Sequence, residues 1–550
     1  MAKTKKIIGI DLGTTYSCVA YINDFGQAEI IPNAEGERTT PSVVWFDKKR
    51  VVVGQEAKEM SNIYPDAVCS FVKRNMGNED FTFDADSVAY TPEHVSSFIL
   101  RKIVKDASQH LGEAVKDVVI TCPAYFSFKE REATKRAGEI AGLNVLQIIN
   151  EPTAAAFAYG VKANDNSKER FVLVYDLGGG TFDTTLIRIS KDGLDVVCTD
   201  GDHQLGGKDW DDRLVRHLAE QFNTATHQGV DPADDTEFYY DLLQKAENMK
   251  KQLTDKMAAK TTVAYQGNKA AIEVKREEFE SITADLLNKS VELTRSLMSV
   301  AAKKGCPRFD QLLLVGGSSR MTQVANRMKK EFGVEPQIFE PDEAVAKGAA
   351  VIGSNVYLSN LIKEKVETGL TIDAAKKAVA DEKGYTLDVV QNSTKRARNV
   401  ASKTFGITVL DGYDATNKPL LTVSNLIYRN TPLPAEKTEQ FATIAKDQRL
   451  VIVELLENGI DAPPQGAPES SEPLDGMTAL WSGELPVKPG LPQYSPVDVT
   501  FKVDEGGRLI ITAFDPASGG KLYKAIPELD EAKRRELEFI TQRSRELTVE

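Results

Sequence analysis

The phrase Asp11-Leu12-Gly13-Thr14-Thr15 returns later in the chain as Asp176-Leu177-Gly178-Gly179-Gly180-Thr181, each time directly after a run of apolar and β-branched residues. A strand, an aspartate, a glycine turn and a threonine therefore occur twice, and this repetition predicts a duplicated lobe. From Lys6 to about Ile352, strand-like runs (Ile7 to Ile10, Val118 to Thr121, Phe171 to Asp176, Leu312 to Val315) alternate with helical patterns, which is how an α/β domain reads. A chain of 550 residues has room for more than this one domain.

Glycine turns after strands suit one kind of ligand. Backbone N–H groups hold a phosphate closely only where side chains are absent, so both phrases are natural phosphate cradles. Each also puts a carboxylate at a strand end, Asp11 and Asp176, where it would hold the water shell of Mg²⁺, an ion that keeps several waters and takes few protein ligands. A third strand runs into a glycine turn at Leu314-Val315-Gly316-Gly317-Ser318-Ser319-Arg320, and its arginine would lie flat on an adenine ring. Any one of these turns alone reads as a tight bend; three in this order read as a nucleotide cleft. No GxxxxGK[ST] is present, so the phosphate site is not a P-loop.

The net charge of -13 argues against nucleic acid as a partner, because that affinity comes from clustered Lys and Arg. The one basic island, Lys395-Arg396-Ala397-Arg398, reads as a solvated linker. No apolar run approaches the roughly 18 residues a membrane span requires, and the apolar stretch after Lys6 is broken by Asp11 and Gly13, too early for a signal peptide. Cys18, Cys69, Cys122, Cys198 and Cys306 show no metal spacing and read as reduced and buried, so a cytoplasmic, membrane-free protein is expected. Beyond Ile352, Leu361 to Asp381 reads as one amphipathic helix and Gly384 to Val400 as a linker. Short β-type runs then fill Ala401 to Tyr523, the pattern of an antiparallel sandwich or barrel. Inside them the proline-rich Asp461 to Pro496 reads as an irregular excursion, and Glu528 to Thr548 reads as a single helix with a thin apolar stripe.

The chain resembles the seventy-kilodalton heat-shock chaperones of the actin and sugar-kinase superfamily. The matching phrases are Gly9 to Ser17, Val72-Lys73-Arg74, Pro123 to Phe126, Ile149 to Ala156, Asp176 to Asp183, Leu205-Gly206-Gly207, Val315 to Arg320 and Pro341 to Ala346. The resemblance implies an α/β actin-like two-lobed ATPase domain over 1–383, a linker over 384–400, an antiparallel β-sandwich peptide-binding domain over 401–525, and one C-terminal helix over 526–550 in place of a longer lid. It implies an ATP-dependent chaperone that binds unfolded or partly folded polypeptides, with ATP or ADP, Mg²⁺ and K⁺ as cofactors. The implied partners are a J-domain cochaperone and a nucleotide-exchange factor, and the implied state is a monomer.

By the same resemblance Lys73, Glu151, Asp176 and Thr181 are the catalytic residues, with Lys73 bringing a cation to the γ-phosphate. Asp11, Asp176 and Asp183 hold metal ions mostly through water. Gly13, Thr14, Thr15, Tyr16, Gly178, Gly179, Gly180, Gly206 and Gly207 belong to the phosphate site, and Glu247, Lys250, Lys251, Thr254, Gly316, Gly317, Ser318, Ser319, Arg320 and Asp342 to the nucleoside site. Lys251 stands where the family has arginine, which keeps the charge but loses the flat guanidinium. Pro123 and Arg131 match the pair that relays the nucleotide state. Ile407, Val409, Phe441, Ile444, Val451 and Val453 fall where the family lines its peptide pocket.

Three departures stand out. The chain is about two dozen residues shorter than the family between Lys73 and Pro123, the linker has no leucine run, and the lid is reduced to its first helix. Two other readings therefore stand beside the chaperone: a regulatory or scaffold protein with weak cycling, and a small-molecule kinase of the same superfamily.

Overall fold

The computed structural model describes residues 6–23, 25–48, 50–163, 169–191, 193–393, 396–463, 472–474, 476–526, 538–542, 544 and 546–550. The chain forms two compact units. One comprises Met1–Phe126, Glu130–Ala397 and Glu536–Glu550; the other comprises Ser127–Lys129 and Arg398–Arg535.

In the first unit the repeated phrase sits in repeated topology. Ile8–Asp11 pairs antiparallel with Tyr16–Ile22, which pairs antiparallel with Ala28–Ile30, while on its other side it runs parallel to Asp117–Cys122 and then Asn144–Asn150. Arg170–Leu177 repeats this pattern: antiparallel to Phe182–Ser190, then to Gly193–Asp202, and parallel on its other side to Gln311–Val315 and Pro336–Ile338. The strands that carry Asp11 and Asp176 are thus central in both sheets. Both are nearly continuous apolar runs because helices cover both faces of such sheets. Among the covering helices, Ala344–Glu367 is tight against the first sheet: a Cβ on Gly9 would meet the Ala350 backbone nitrogen at 2.1 Å.

A smaller sheet of Val43–Asp47, Arg50–Val53 and Val68–Ser70 extends the first lobe, and a fourth strand, Thr548–Val549, closes its edge. This corrects the ends of the single helix expected over Glu528 to Thr548 and assigned to 526–550: residues 538–542, 544 and 546 are helical, but Thr548 lies in a strand and Ile526 ends the strand Lys521–Ile526. Of that span, 527–537, 543 and 545 lie outside the described residues. The described residues from 538 onward belong to the first unit, with Ile540 and Val549 in the lobe's apolar core.

The span Leu361 to Asp381 is likewise two helices. Ala344–Glu367 stops before Gly369, at φ 98°, and Ile372–Lys383 restarts with the Thr371 hydroxyl accepting from the Ala374 N–H at 3.3 Å. The stretch read as a linker also folds. Thr386 caps a helix Leu387–Asn392 whose Val390 is buried against Leu358, Ile362 and Val379, and Arg396–Arg398 adds a strand beside Gly193–Asp202.

The second unit is an antiparallel sandwich. A sheet in the order Glu472–Pro473, Pro419–Ile427, Thr404–Tyr413, Leu450–Asn458, Thr478–Pro486 faces one of Ala435–Ala442, Pro496–Val503, Leu509–Phe514 and Lys521–Ile526. Ile407, Leu455, Leu485, Val499, Phe501 and Ile511 fill the space between them. The stretch Asp461 to Pro496 is therefore not irregular throughout: Thr478–Pro486 is a full strand on Leu450–Asn458. Its alternation is hidden because Gly483 interrupts it, at a point where the Trp481 ring folds over the glycine.

Candidate functional site

In the first unit the two glycine turns meet. A Cβ on Gly179 would lie 2.0 Å from the Thr15 hydroxyl oxygen, and one on Gly180 would lie 2.3 Å from the Thr14 methyl, so the turns approach only because both residues are glycine. Gly206 packs on the Gly180 backbone, and the Gly207 N–H donates to the Gly178 carbonyl at 2.9 Å. Between the turns opens a cavity of about 700 Å³. Asp11, Gly13, Thr14, Thr15, Tyr16, Lys73, Glu151, Asp176, Gly178, Gly179, Thr181, Glu247, Lys250, Lys251, Thr254, Gly316, Gly317, Ser318, Arg320 and Asp342 line it. Gly180, Asp183, Gly206, Gly207 and Ser319 stand behind its wall. Ser319 donates to the Val315 carbonyl at 2.6 Å and accepts from the Leu177 N–H, and Asp183 accepts from the N–H groups of Ala124 and Tyr125.

Lys73 is buried and donates to Glu151 at 2.6 Å. Burial alone would lower its pKa, but the Glu151 and Asp11 carboxylates outweigh burial and hold it above the usual lysine value, so it stays a cation. Burial, then Glu151, pushes both Asp11 and Asp183 up to about 7, and burial with Glu151, Asp183 and Asp11 pushes Asp176 well above the carboxylate range. Several carboxylates crowd one lysine, which is an oxygen-rich, anionic setting that fits a hard divalent cation. Among the described residues no three His, Cys, Asp or Glu side chains could grip an ion directly.

The far wall holds residues that the sequence reading missed. Lys58 donates to Glu247 at 2.5 Å and to the Tyr16 hydroxyl at 2.9 Å, its ammonium 4.9 Å from the Tyr16 ring centroid. Lys251 also contacts this ring, at 5.2 Å, and pairs with Glu247 at 2.8 Å, so its charge is already engaged within the cavity wall. Arg74 forks onto Asp209 and donates to the Gly180 carbonyl at 2.8 Å, and Asp211 pairs with Lys250 at 2.7 Å. Lys58 had no motif to announce it; Arg74 belongs to the phrase Val72-Lys73-Arg74, but its partner Asp209 lies beyond Gly207 and is visible only in three dimensions. Arg320, half exposed, is held by Asp342 at 2.5 Å. Arg131 donates to Asn150 at 2.6 Å and to the Ala124 carbonyl beside Pro123.

A family model described as Hsp70 protein matches residues 7–368, the stretch holding both glycine turns and every cleft residue above. The chain belongs to the Hsp70 family. It is 37% identical over 532 residues to the chaperone protein DnaK of Thermotoga neapolitana, covering 94% of this chain and 80% of that protein, and equally similar to those of Thermotoga petrophila and Thermotoga maritima. As an Hsp70 the chain is an ATPase and an ATP-dependent molecular chaperone, of a family that binds ATP or ADP with Mg²⁺. Four of its five cysteines are buried and none is in a disulfide, while Cys306 is half-buried, a small departure from the expectation for all five. No helix among the described residues is long and apolar enough to cross a membrane.

Proposed function

We propose that the cleft hydrolyses ATP by electrostatic positioning and that this cycle governs capture of extended apolar peptides by the β-sandwich. The observation that carries the reading is the buried Lys73–Glu151 pair at the junction of the two glycine turns. Phosphoryl transfer passes through a loose transition state with charge on the equatorial oxygens, so a fixed ammonium there lowers the barrier without bond-making of its own. Lys73 holds the attacking water against the γ-phosphate, Glu151 and Asp176 orient that water and take up its proton, and Thr14, Thr15 and Thr181 donate to phosphate oxygens. Asp11, Asp176 and Asp183 would hold Mg²⁺ and K⁺ through water, and a bound Mg²⁺ would supply charge neutralisation on the phosphates. Glu247, Lys250, Lys251 and Thr254 hold the adenosine together with the Gly316–Arg320 turn and Asp342.

The nucleotide domain is assigned to 1–383 and the peptide domain to 401–525, with Pro123 and Arg131 relaying between nucleotide and peptide. In the second unit Ile407 and Val453 are buried, Val409, Phe441 and Val451 are half-buried, and Ile444 is exposed. The strand register brings exposed Tyr413, Leu420, Leu421, Leu450 and Ile452 to the same end of the sheet, an apolar surface that supports main-chain pairing with an extended peptide. The chain acts as a cytoplasmic monomer, with clients presented by a J-domain protein and nucleotide renewed by an exchange factor.

The test is steady-state ATP turnover with a J-domain fragment and with an apolar heptapeptide, each of which is expected to raise it. Turnover indifferent to both would overturn the reading and favour a scaffold. Val451→Phe, which fills the half-buried edge of the sandwich, is expected to weaken heptapeptide binding about tenfold or more while leaving basal turnover intact. Equal affinity in variant and parent would make Val451 plain core.

A further inference from the structure

The segment 538–550 is built into the wall of the nucleotide cleft's first lobe. Thr548–Val549 pairs in parallel with Arg50–Val53, the Glu550 N–H donates to the Val51 carbonyl at 3.0 Å, and the Val53 N–H donates to the Glu550 carbonyl at 2.9 Å. The helix Pro92–Leu111 grips the same segment by its main chain. Arg101 donates to the carbonyls of Ser544 at 2.7 Å and Leu547 at 2.9 Å, and Lys105 donates to that of Val549 at 2.9 Å. Charged donors make these among the stronger hydrogen bonds. Val549 and Ile540 are 5% and 8% exposed, inside the core that also holds Val51 and Phe98.

What this segment touches leads straight to the cleft. The strand Arg50–Val53 runs through Gly54 into the helix Gln55–Met60, which carries Lys58. Two strands away in the same sheet, Val68–Ser70 runs through Phe71 into the turn Val72–Asn75, which carries Lys73 and Arg74. Without 548–549, Arg50–Val53 would be the outer strand of a three-stranded sheet, and edge strands with unpaired N–H and C=O groups are the least ordered and most adhesive part of a sheet.

We propose that the strand Thr548–Val549, with the described residues 538–542, 544, 546 and 547 ahead of it, is a ligand of the first lobe, bound in cis at the Arg50–Val53 edge and the Arg101–Lys105 face, and that its seating sets the positions of Lys58 and Lys73 in the cleft. The surface accepts an extended peptide by main-chain pairing, with one apolar side chain, that of Val549, entering the core. It is separate from the peptide surface of the β-sandwich, and its occupant is the chain's own segment.

The experiment uses the full-length protein with a protease recognition sequence placed within 527–537, cut after purification. The freed fragment is expected to co-elute with the rest of the chain in gel filtration and to be released when the same protein carries Val549→Asp. On release, amide exchange of residues 50–60 is expected to quicken, single-turnover hydrolysis to fall about tenfold, and added synthetic 538–550 peptide to restore both. Co-elution and amide exchange report seating without reference to ATP, so their outcome stands apart from that of the hydrolytic reading. A fragment that separates from the unsubstituted cut protein, or one whose loss leaves both exchange at 50–60 and hydrolysis unchanged, would overturn the proposal.

Discussion

Two residues of the cleft make opposite demands on charge. Lys73 is an ammonium kept charged by carboxylates in a buried setting, so its worth should appear mainly when charge develops on the transferring phosphoryl group. Lys73→Ala is expected to slow single-turnover hydrolysis about a hundredfold, roughly 3 kcal/mol, while ATP binding persists; near-parent rates would remove Lys73 from the mechanism. Glu247 is the reverse case. Burial alone would raise its pKa, but Lys58 and Lys251 outweigh burial and hold it at about 2, below its ordinary 4.5. A carboxylate held low in the folded state contributes stability that is present above 4.5 and is lost as pH falls through about 2. Glu247→Gln is therefore expected to lower the unfolding free energy by about 1–3 kcal/mol at neutral pH, with the gap closing below pH 4.5 in urea titrations. A gap of constant size from pH 7 to pH 3 would assign the loss to packing instead. Asp11 and Asp176 were legible from the glycine turns that follow them, whereas Lys73, Glu151 and Glu247 were placed only through the resemblance to the family. Lys58 was reached by neither route, since a lone lysine on a short helix carries no local sign of its partners on Glu247 and Tyr16.

At the level of elements, local signals served where one device dominates. The Asp and glycine phrases sit at strand ends, as their pattern predicts. They failed where a partner rather than a pattern makes the element. Thr478–Pro486 contains Gly483 and shows little alternation, yet Leu485 is fully buried between the sheets. Leu485→Ala is expected to destabilise the second unit by about 2–5 kcal/mol, read from the denaturant dependence of Trp481 fluorescence. A loss under about 0.5 kcal/mol would return this stretch to the surface loop that its composition suggests.

For the whole molecule, two compact units with one nucleotide cleft predict that ligand stabilisation is felt through the first. Mg²⁺ with ADP at a hundredfold excess over its dissociation constant is expected to add about 2.7 kcal/mol to unfolding of that unit. Trp45 and Trp210 lie in the first unit and Trp481 in the second, so Trp481→Phe should leave the nucleotide-sensitive fluorescence transition in place. Its disappearance would mean that the transition belongs to the second unit. The sequence by itself determined the duplicated α/β lobes, the β-sandwich and most of the cleft, because close backbone approach demands glycine and strand and helix periods are written within a dozen residues. Only the tertiary structure decided that Thr548–Val549 closes the edge of Arg50–Val53, that Lys58 meets Glu247, and that the stretch 384–400 folds as a helix and an edge strand. Each of these depends on which edge, charge or apolar face happens to stand opposite, and residues hundreds of positions apart carry no shared period that could announce it.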